Sequence, residues 1–387
     1  MWIFVLLGGL FLPFVLGQGC NYDLQVGTTV VNISSGLDPQ CTWTATAFED
    51  YRLKLTCDVK LPGGINIGIG NCLLNFLTIS ASGNPSSSDG TKYCNSGSFS
   101  VLSDLNKISL QLSSSLLANN ILGISFSCSL QAVFNPCSCG HRGVQSRIVG
   151  GEEAGINDFP AVAALVDVRY KAAFCGATLI SSWRALTAQS CVINRPTTNI
   201  VLVVAEHDLS KRSQYSKLYS IQSAACFYEN CNTHPNIEYG DIAVVKTAEE
   251  IQMNPAVRVI CLPYKYRDDT LAGSVVEIAG WGAEVYGDPN SLVLRKTQLN
   301  VISPDECKQQ YPSFTSNNIC AYKEGASACT IDTGGSLMYT GPGTNRLYTV
   351  GVIQPSRCSD DDTLNTRVGA VIDWIVNSSP ESSYCNI

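Results

Sequence analysis

The residues of this chain that could do covalent chemistry are few. Thr333 carries a hydroxyl in the run Cys329-Thr330-Ile331-Asp332-Thr333-Gly334-Gly335, Ser190 carries another beside Cys191, and Asp241 follows Gly240. A hydroxyl attacks a carbonyl only with help: a base to take its proton, a group to orient that base, and N–H donors for the developing oxyanion. Bases are scarce here. The chain has three histidines, His141, His207 and His234, and an internal threonine such as Thr333 brings no amino terminus of its own to serve as base.

Other features set the setting. The chain has 387 residues, 45% hydrophobic and 15% charged, which suits two or three globular domains. Its net charge is −7 with no basic run, which argues against nucleic acid as a partner. Met1 to Gly17 is apolar and uncharged, too short to span a bilayer, and ends in Val15-Leu16-Gly17. That pattern predicts a signal peptide over 1–17 and a secreted, extracellular protein with no membrane span. Eighteen cysteines in an exported chain read as a disulfide framework. Metal binding is the alternative for cysteines, but paired C-x-x-C units are missing and Cys137-Ser138-Cys139 is too tight for a zinc knuckle. No metal and no cofactor is expected. Asn32 (with Ser34) and Asn377 (with Ser379) are glycosylation sequons.

Residues 20–135 predict a β-sandwich. Tyr51-Arg52-Leu53-Lys54-Leu55 and Ile108-Ser109-Leu110-Gln111-Leu112 alternate with a period of two, and Pro62-Gly63-Gly64 and Asn84 to Gly90 are turn clusters. The cysteine layout resembles a CUB domain. The resemblance implies pairs Cys20–Cys41 and Cys72–Cys94, with Cys57 and Cys128 bridging neighbouring strands. Asn75-Phe76 stands where many CUB domains carry a calcium-binding acidic residue, so the resemblance does not extend to a calcium face.

From Asn135-Pro136-Cys137 a cysteine-containing linker, 136–147, runs to Ser146-Arg147-Ile148-Val149-Gly150-Gly151. From Ile148 to about Val376 the chain resembles the chymotrypsin-like serine proteases, and a domain is placed over 148–380. The landmarks come in order: Cys175-Gly176-Ala177, Gly240-Asp241-Ile242-Ala243, Cys261-Leu262-Pro263, Gly280-Trp281-Gly282 and the Thr333 run. Val368, Val371, Ile372 and Ile375 then fall on one helical face. The fold class expected is all-β: a CUB-like β-sandwich followed by a trypsin-like double β-barrel with a C-terminal helix. The combination looks like secreted arthropod CUB–serine proteases, some of them from venom, saliva or haemolymph.

The resemblance also says where the triad belongs. The family's histidine precedes a cysteine in Leu-Thr-Ala-Ala-His-Cys; this chain reads Leu186-Thr187-Ala188-Gln189-Ser190-Cys191, so Ser190 takes the slot. Asp241 is the orienting aspartate and Thr333 stands for the serine of Gly-Asp-Ser-Gly-Gly. A serine hydroxyl cannot shuttle protons near neutral pH. Ile331 replaces the oxyanion glycine with β-branched bulk. In the specificity pocket, Ser327 stands for the acid of trypsin-like members, and Gln354-Pro355-Ser356 replaces Ser-Trp-Gly, Pro355 removing an N–H.

The activation parts are retained. By resemblance, a trypsin-like protease cleaves after Arg147, and the freed ammonium of Ile148 pairs with Asp332. The resemblance also implies Cys175–Cys191, Cys307–Cys320, Cys329–Cys358, a Cys139–Cys261 tether and a Cys226–Cys231 loop. Cys137 and Cys385 are left to pair with each other or with another chain. These readings make the chain a non-enzyme: a serine protease homologue without peptide hydrolysis that acts by binding a protein partner, whether an active protease, an inhibitor or a target surface. The alternative is an atypical endopeptidase using Thr333.

Overall fold

The computed structural model describes the chain from Asn21 to Tyr384, apart from residues 28–29, 35–40, 49–50, 62–64, 67–71, 74, 114–123, 136, 144–151, 212, 229–230, 232–239, 284–287, 325–327, 344, 355–362 and 383. The expected signal peptide, Cys20, Arg147, Ile148, His234, Ser327, Pro355, Ser356, Cys358 and Cys385 lie outside the described residues. The chain divides into two compact units between Asn135 and Pro136.

In the first unit, residues with period-two alternation form two sheets that bury one face each. The strand Tyr51–Lys60 alternates buried and exposed positions from Leu53 onward, as an antiparallel strand facing a core on one side must. One sheet orders the strands Asn21–Gln25, Thr42–Thr46, Lys107–Ser113, Phe76–Ser80 and Thr91–Tyr93; the other orders Val31–Ser34, Ser125–Phe134, Tyr51–Lys60 and Gly97–Leu102. Their inner faces share a core that includes Leu53, Leu55, Leu77, Ile79, Leu110 and Leu130. Trp43 of the first sheet meets Phe126 of the second edge to face at 5.2 Å, a favourable geometry for aromatic quadrupoles. Bridges join Cys57 to Cys128 and Cys72 to Cys94. Cys41 is buried and free among the described residues. Asn21 lies opposite Thr42 in a parallel pairing.

The second unit builds two barrels. Strands Val162–Asp167, Ala172–Ser181, Arg184–Thr187, Ala243–Thr247, Lys217–Cys226 and Ile200–Val204 close the first. In the second, the sheet Arg295–Val301, Val275–Gly280, Ser336–Thr340, Leu347–Ile353, Thr363–Arg367 and Asn318–Tyr322 closes when its last strand pairs back onto its first. Closure removes sheet edges, and the strand Ile200-Val201-Leu202-Val203-Val204 is an unbroken apolar run. Bridges Cys139–Cys261, Cys175–Cys191, Cys226–Cys231 and Cys307–Cys320 are present, and Cys137 and Cys329 are also disulfide-bonded.

Lys296 and Asp158 form a buried ion pair with Nζ 2.7 Å from Oδ2. It ties the segment that leads into the first barrel to a strand of the second. At the C-terminus the expected helix divides into a 3-10 turn, Val368–Val371, and an α-helix, Ile372–Asn377. Gly369 lies against Arg267, where a Cβ would be 2.7 Å from the Arg267 carbonyl oxygen, and the tighter first turn accommodates that approach. Val368, Val371, Ile372 and Ile375 are all buried.

Candidate functional site

Barrel register brings Ser190 and Asp241 together. Thr187, the last residue of one strand, is opposite Ala243, the first of its neighbour. The chain leaves the first strand into the short helix Gln189–Val192 and enters the second through Gly240 and Asp241, so both side chains stand at the same end of the barrel. Ser190 N donates to Asp241 Oδ1 at 2.8 Å, and Ser190 Oγ donates to Oδ2 at 2.6 Å. Both carboxylate oxygens are engaged by the residue that holds the base position.

Asp241 is almost fully buried and is held from behind as well. Its N–H donates to Thr366 Oγ1 at 2.8 Å, and the Thr366 hydroxyl donates to the Asp241 carbonyl at 3.1 Å. Gln354, buried at the end of the strand Leu347–Ile353, donates from Nε2 to Thr366 Oγ1 at 3.1 Å. Gln189 clamps Tyr228 on both sides, Nε2 to the carbonyl at 2.8 Å and Oε1 from the N–H at 3.1 Å. Sequence reading does not single out Thr366 or Gln189. Thr366 is 125 residues from Asp241 in the chain, and only closure of both barrels makes them neighbours.

Thr333 follows a 3-10 turn, Thr330–Asp332, ahead of the strand Ser336–Thr340. Its carbonyl accepts from Gly176 N at 2.8 Å, which fixes the second barrel's loop to the first. Gly334 takes φ +86°, and a Cβ there would overlap the Thr187 hydroxyl and crowd the Gly176 carbonyl; the close approach of the barrels therefore requires glycine. The Thr333 residue is 5% exposed, and its hydroxyl has no hydrogen-bond partner among the described residues. His207 Nε2 is instead 2.8 Å from Glu153 Oε1. The proton on Ser190 is committed to Asp241, so no imidazole and no free base is set against Thr333 by the described residues.

Asp332 has a different character. Its carboxylate accepts from Gly282 N at 2.8 Å and from Cys329 N at 2.9 Å. A Cβ at Gly280 or Gly282 would overlap its oxygens. Asp332 is partly exposed as a residue, while its carboxyl group is enclosed. Burial pushes its pKa up from 3.8 to about 6 against the lowering by the Cys329 and Gly282 N–H groups. No charged partner for it lies among the described residues. His141, part of the segment after Cys139, and Ile331, 8% exposed beside Asp332, complete the described candidates. Asn32 is exposed on an edge strand, and Asn377 is exposed at the helix end with the Ser379 hydroxyl buried against the Ile375 carbonyl.

The two closed barrels, the seam that carries Ser190, Asp241 and Thr333, and the helix that follows define a trypsin-like serine protease domain. The trypsin family model matches residues 148–375, and the chain belongs to that family. It is 32% identical over 90% of its length to venom serine protease 34 of Apis mellifera, covering 83% of that protein. It is 35% identical to a venom serine protease of Polistes dominula over 64% of this chain and 91% of that one. To phenoloxidase-activating factor 3 of Holotrichia diomphalia it is 27% identical over 91% of this chain and 96% of that protein.

These matches correct the non-enzyme reading of the sequence. The family is one of proteases, and relatives that cover most of this chain are named as serine proteases. The physical reason for the error is that substitutions at Ser190, Thr333 and Ile331 speak to one proton relay and one oxyanion donor. They do not set the class of the protein.

Proposed function

We propose that this chain is a secreted trypsin-family protein, cleaved after Arg147, whose main work is to bind a protein partner. Residues 20–135 are a CUB-like module that shares the binding, and 148–380 are the protease-like domain. The observation that carries the reading is the Ser190–Asp241 pair: a hydroxyl donates at 2.6 Å to the carboxylate that would otherwise orient a base. A scaffold held by several disulfides, with triad positions that lack an imidazole, keeps shape and surface while its ordinary relay is degenerate. The altered cleft favours exosite or CUB-mediated contact over capture of substrate-like inhibitors.

A second reading rests on the relatives' names and on the Thr333 hydroxyl, which has no hydrogen-bond partner among the described residues. In it the chain is an atypical endopeptidase that uses Thr333 as nucleophile, without an imidazole base. One experiment separates the two. Arg147-cleaved protein and its Thr333→Ala variant are immobilised and exposed to the fluid into which the protein is secreted. Equal retention of the same protein on both is expected. Retention that falls with Thr333→Ala, together with cleavage of the retained protein by the unsubstituted chain alone, would favour the second reading.

A further inference from the structure

Among the described residues, the two sheets of the first unit end on four edge strands. Three of them carry a device that discourages pairing with a further strand. Val31–Ser34 has only four residues and exposes the sequon asparagine Asn32. Thr91–Tyr93 has three residues and includes Lys92. Asn21–Gln25 exposes Asp23. The fourth edge, Gly97–Leu102, has none of these. Its six residues include no charge and no proline, and its register against Tyr51–Lys60 is regular throughout, with no bulge. No described residue pairs with its outer side, and Leu102 is 42% exposed there.

The strand beside it decides which backbone groups this edge offers. Ser103 N donates to the Leu53 carbonyl at 2.9 Å. The two-residue repeat of an antiparallel ladder then turns the N–H and C=O of Gly97, Phe99 and Val101 toward Tyr51–Lys60, and those of Ser98, Ser100 and Leu102 outward. That outward row complements its own reverse. Set antiparallel to a second copy, with Ser100 facing Ser100 and Ser98 facing Leu102, it exchanges about six backbone hydrogen bonds. On the inner face Phe99 and Val101, both partly buried against the core, face Val101 and Phe99 of the second copy. Aromatic and β-branched residues opposite each other stabilise an antiparallel pair. On the outer face Asp58 neighbours Ser98 and Lys54 neighbours Leu102. Each row across the two copies therefore runs Asp58, Ser98, Leu102, Lys54, and no like charges meet.

We propose that Gly97–Leu102 joins two copies of this chain edge to edge, about a two-fold axis through Ser100. The pairing consumes the one unguarded edge. The joined sheet then ends on Val31–Ser34 at both sides, each with Asn32 exposed, so assembly stops at the dimer. A single strand pair is a small contact, and its dissociation constant is expected on the order of 10–100 µM. The pairing involves no bond made or broken and does not depend on whether Thr333 reacts.

Sedimentation of the full chain from about 1 to about 300 µM is expected to show a monomer–dimer equilibrium. Residue 100 faces itself, so Ser100→Lys and Ser100→Asp each set like charges opposite one another and are each expected to weaken association at least tenfold. An equimolar mixture of the two variants is expected to restore it. Amide exchange locates the contact, with protection of Ser98, Ser100 and Leu102 rising with protein concentration. Should the Ser100 variants fold poorly by circular dichroism, Leu102→Glu sets a carboxylate one strand from Asp58 of the second copy and is expected to weaken association by a similar factor. A monomer throughout, or a dimer indifferent to residue 100 and to Leu102→Glu, would overturn the proposal. So would protection of the Ser98 and Ser100 amides only on addition of the fluid into which the protein is secreted, which would assign the edge to a strand of another protein.

Discussion

Ser190→His combined with Thr333→Ser and Ile331→Gly is expected to raise kcat/KM of the Arg147-cleaved protein on a peptide substrate by at least about a thousandfold. Removal of triad members from an active enzyme of this kind costs roughly 10⁴- to 10⁶-fold, and the three changes together supply the base, unhinder the nucleophile and clear β-branched bulk from the oxyanion N–H. The setting for the ring exists already. The Ser190 N–H holds Asp241 Oδ1 at 2.8 Å, and Thr366 fixes the Asp241 backbone, so the carboxylate that must orient an imidazole is in place before the ring is added. Thr333→Ser alone is expected to gain less than about tenfold, because a better nucleophile without a base gains little. Progress curves on an internally quenched peptide library measure both. A gain from the single change equal to that of the triple change would mean that a base is already present.

The buried carboxyl of Asp332 makes a prediction about pH. Its folded pKa, about 6, lies above the 3.8 of the unfolded chain, so the folded state binds the proton more tightly. Its contribution to stability is fully present below pH 3.8 and is lost as pH rises through about 6. The rise corresponds to about 3 kcal/mol at neutral pH. Paired acids such as Asp167, held at about 2 by Arg169, act in the opposite sense, so the group is isolated by difference. In uncleaved protein carrying Arg147→Gln, urea unfolding at pH 4.5 and 7.5 is expected to show a steeper stability loss with Asp332 than in the Asp332→Asn variant, by about 2 kcal/mol. An equal pH dependence in the two would show that Asp332 is not held neutral-prone by burial. Cleavage after Arg147 is expected to shrink the difference, since an ammonium beside the carboxylate favours its charged form.

The sequence carries the β-rhythm of the first unit and loses the site's connections. Tyr51 to Leu55 alternates, and the strand that forms there runs on to Lys60 with the same alternation, because period two is a local property of a half-buried strand. The barrels are different. Several of their strands are buried on nearly every residue, as in Val162–Asp167, and a continuous apolar run does not say which strand it pairs with. Their order came from resemblance to a family, not from residue patterning. The same limit hid the bond from Ser190 to Asp241, 51 residues apart, and the clamp of Gln354 and Thr366 behind it. The substituted positions are plain in sequence, but Ser190, Thr333 and Ile331 do not by themselves determine the loss of enzyme class.

Single-turnover labelling of the Arg147-cleaved protein with a fluorophosphonate, beside active trypsin, tests the central claim most directly. With Ser190 bonded to Asp241 and no base set against Thr333 by the described residues, no labelling above that of the heat-unfolded chain is expected. A covalent adduct mapped to Thr333, lost in Thr333→Ala, would contradict the account and establish a proton acceptor in the cleft.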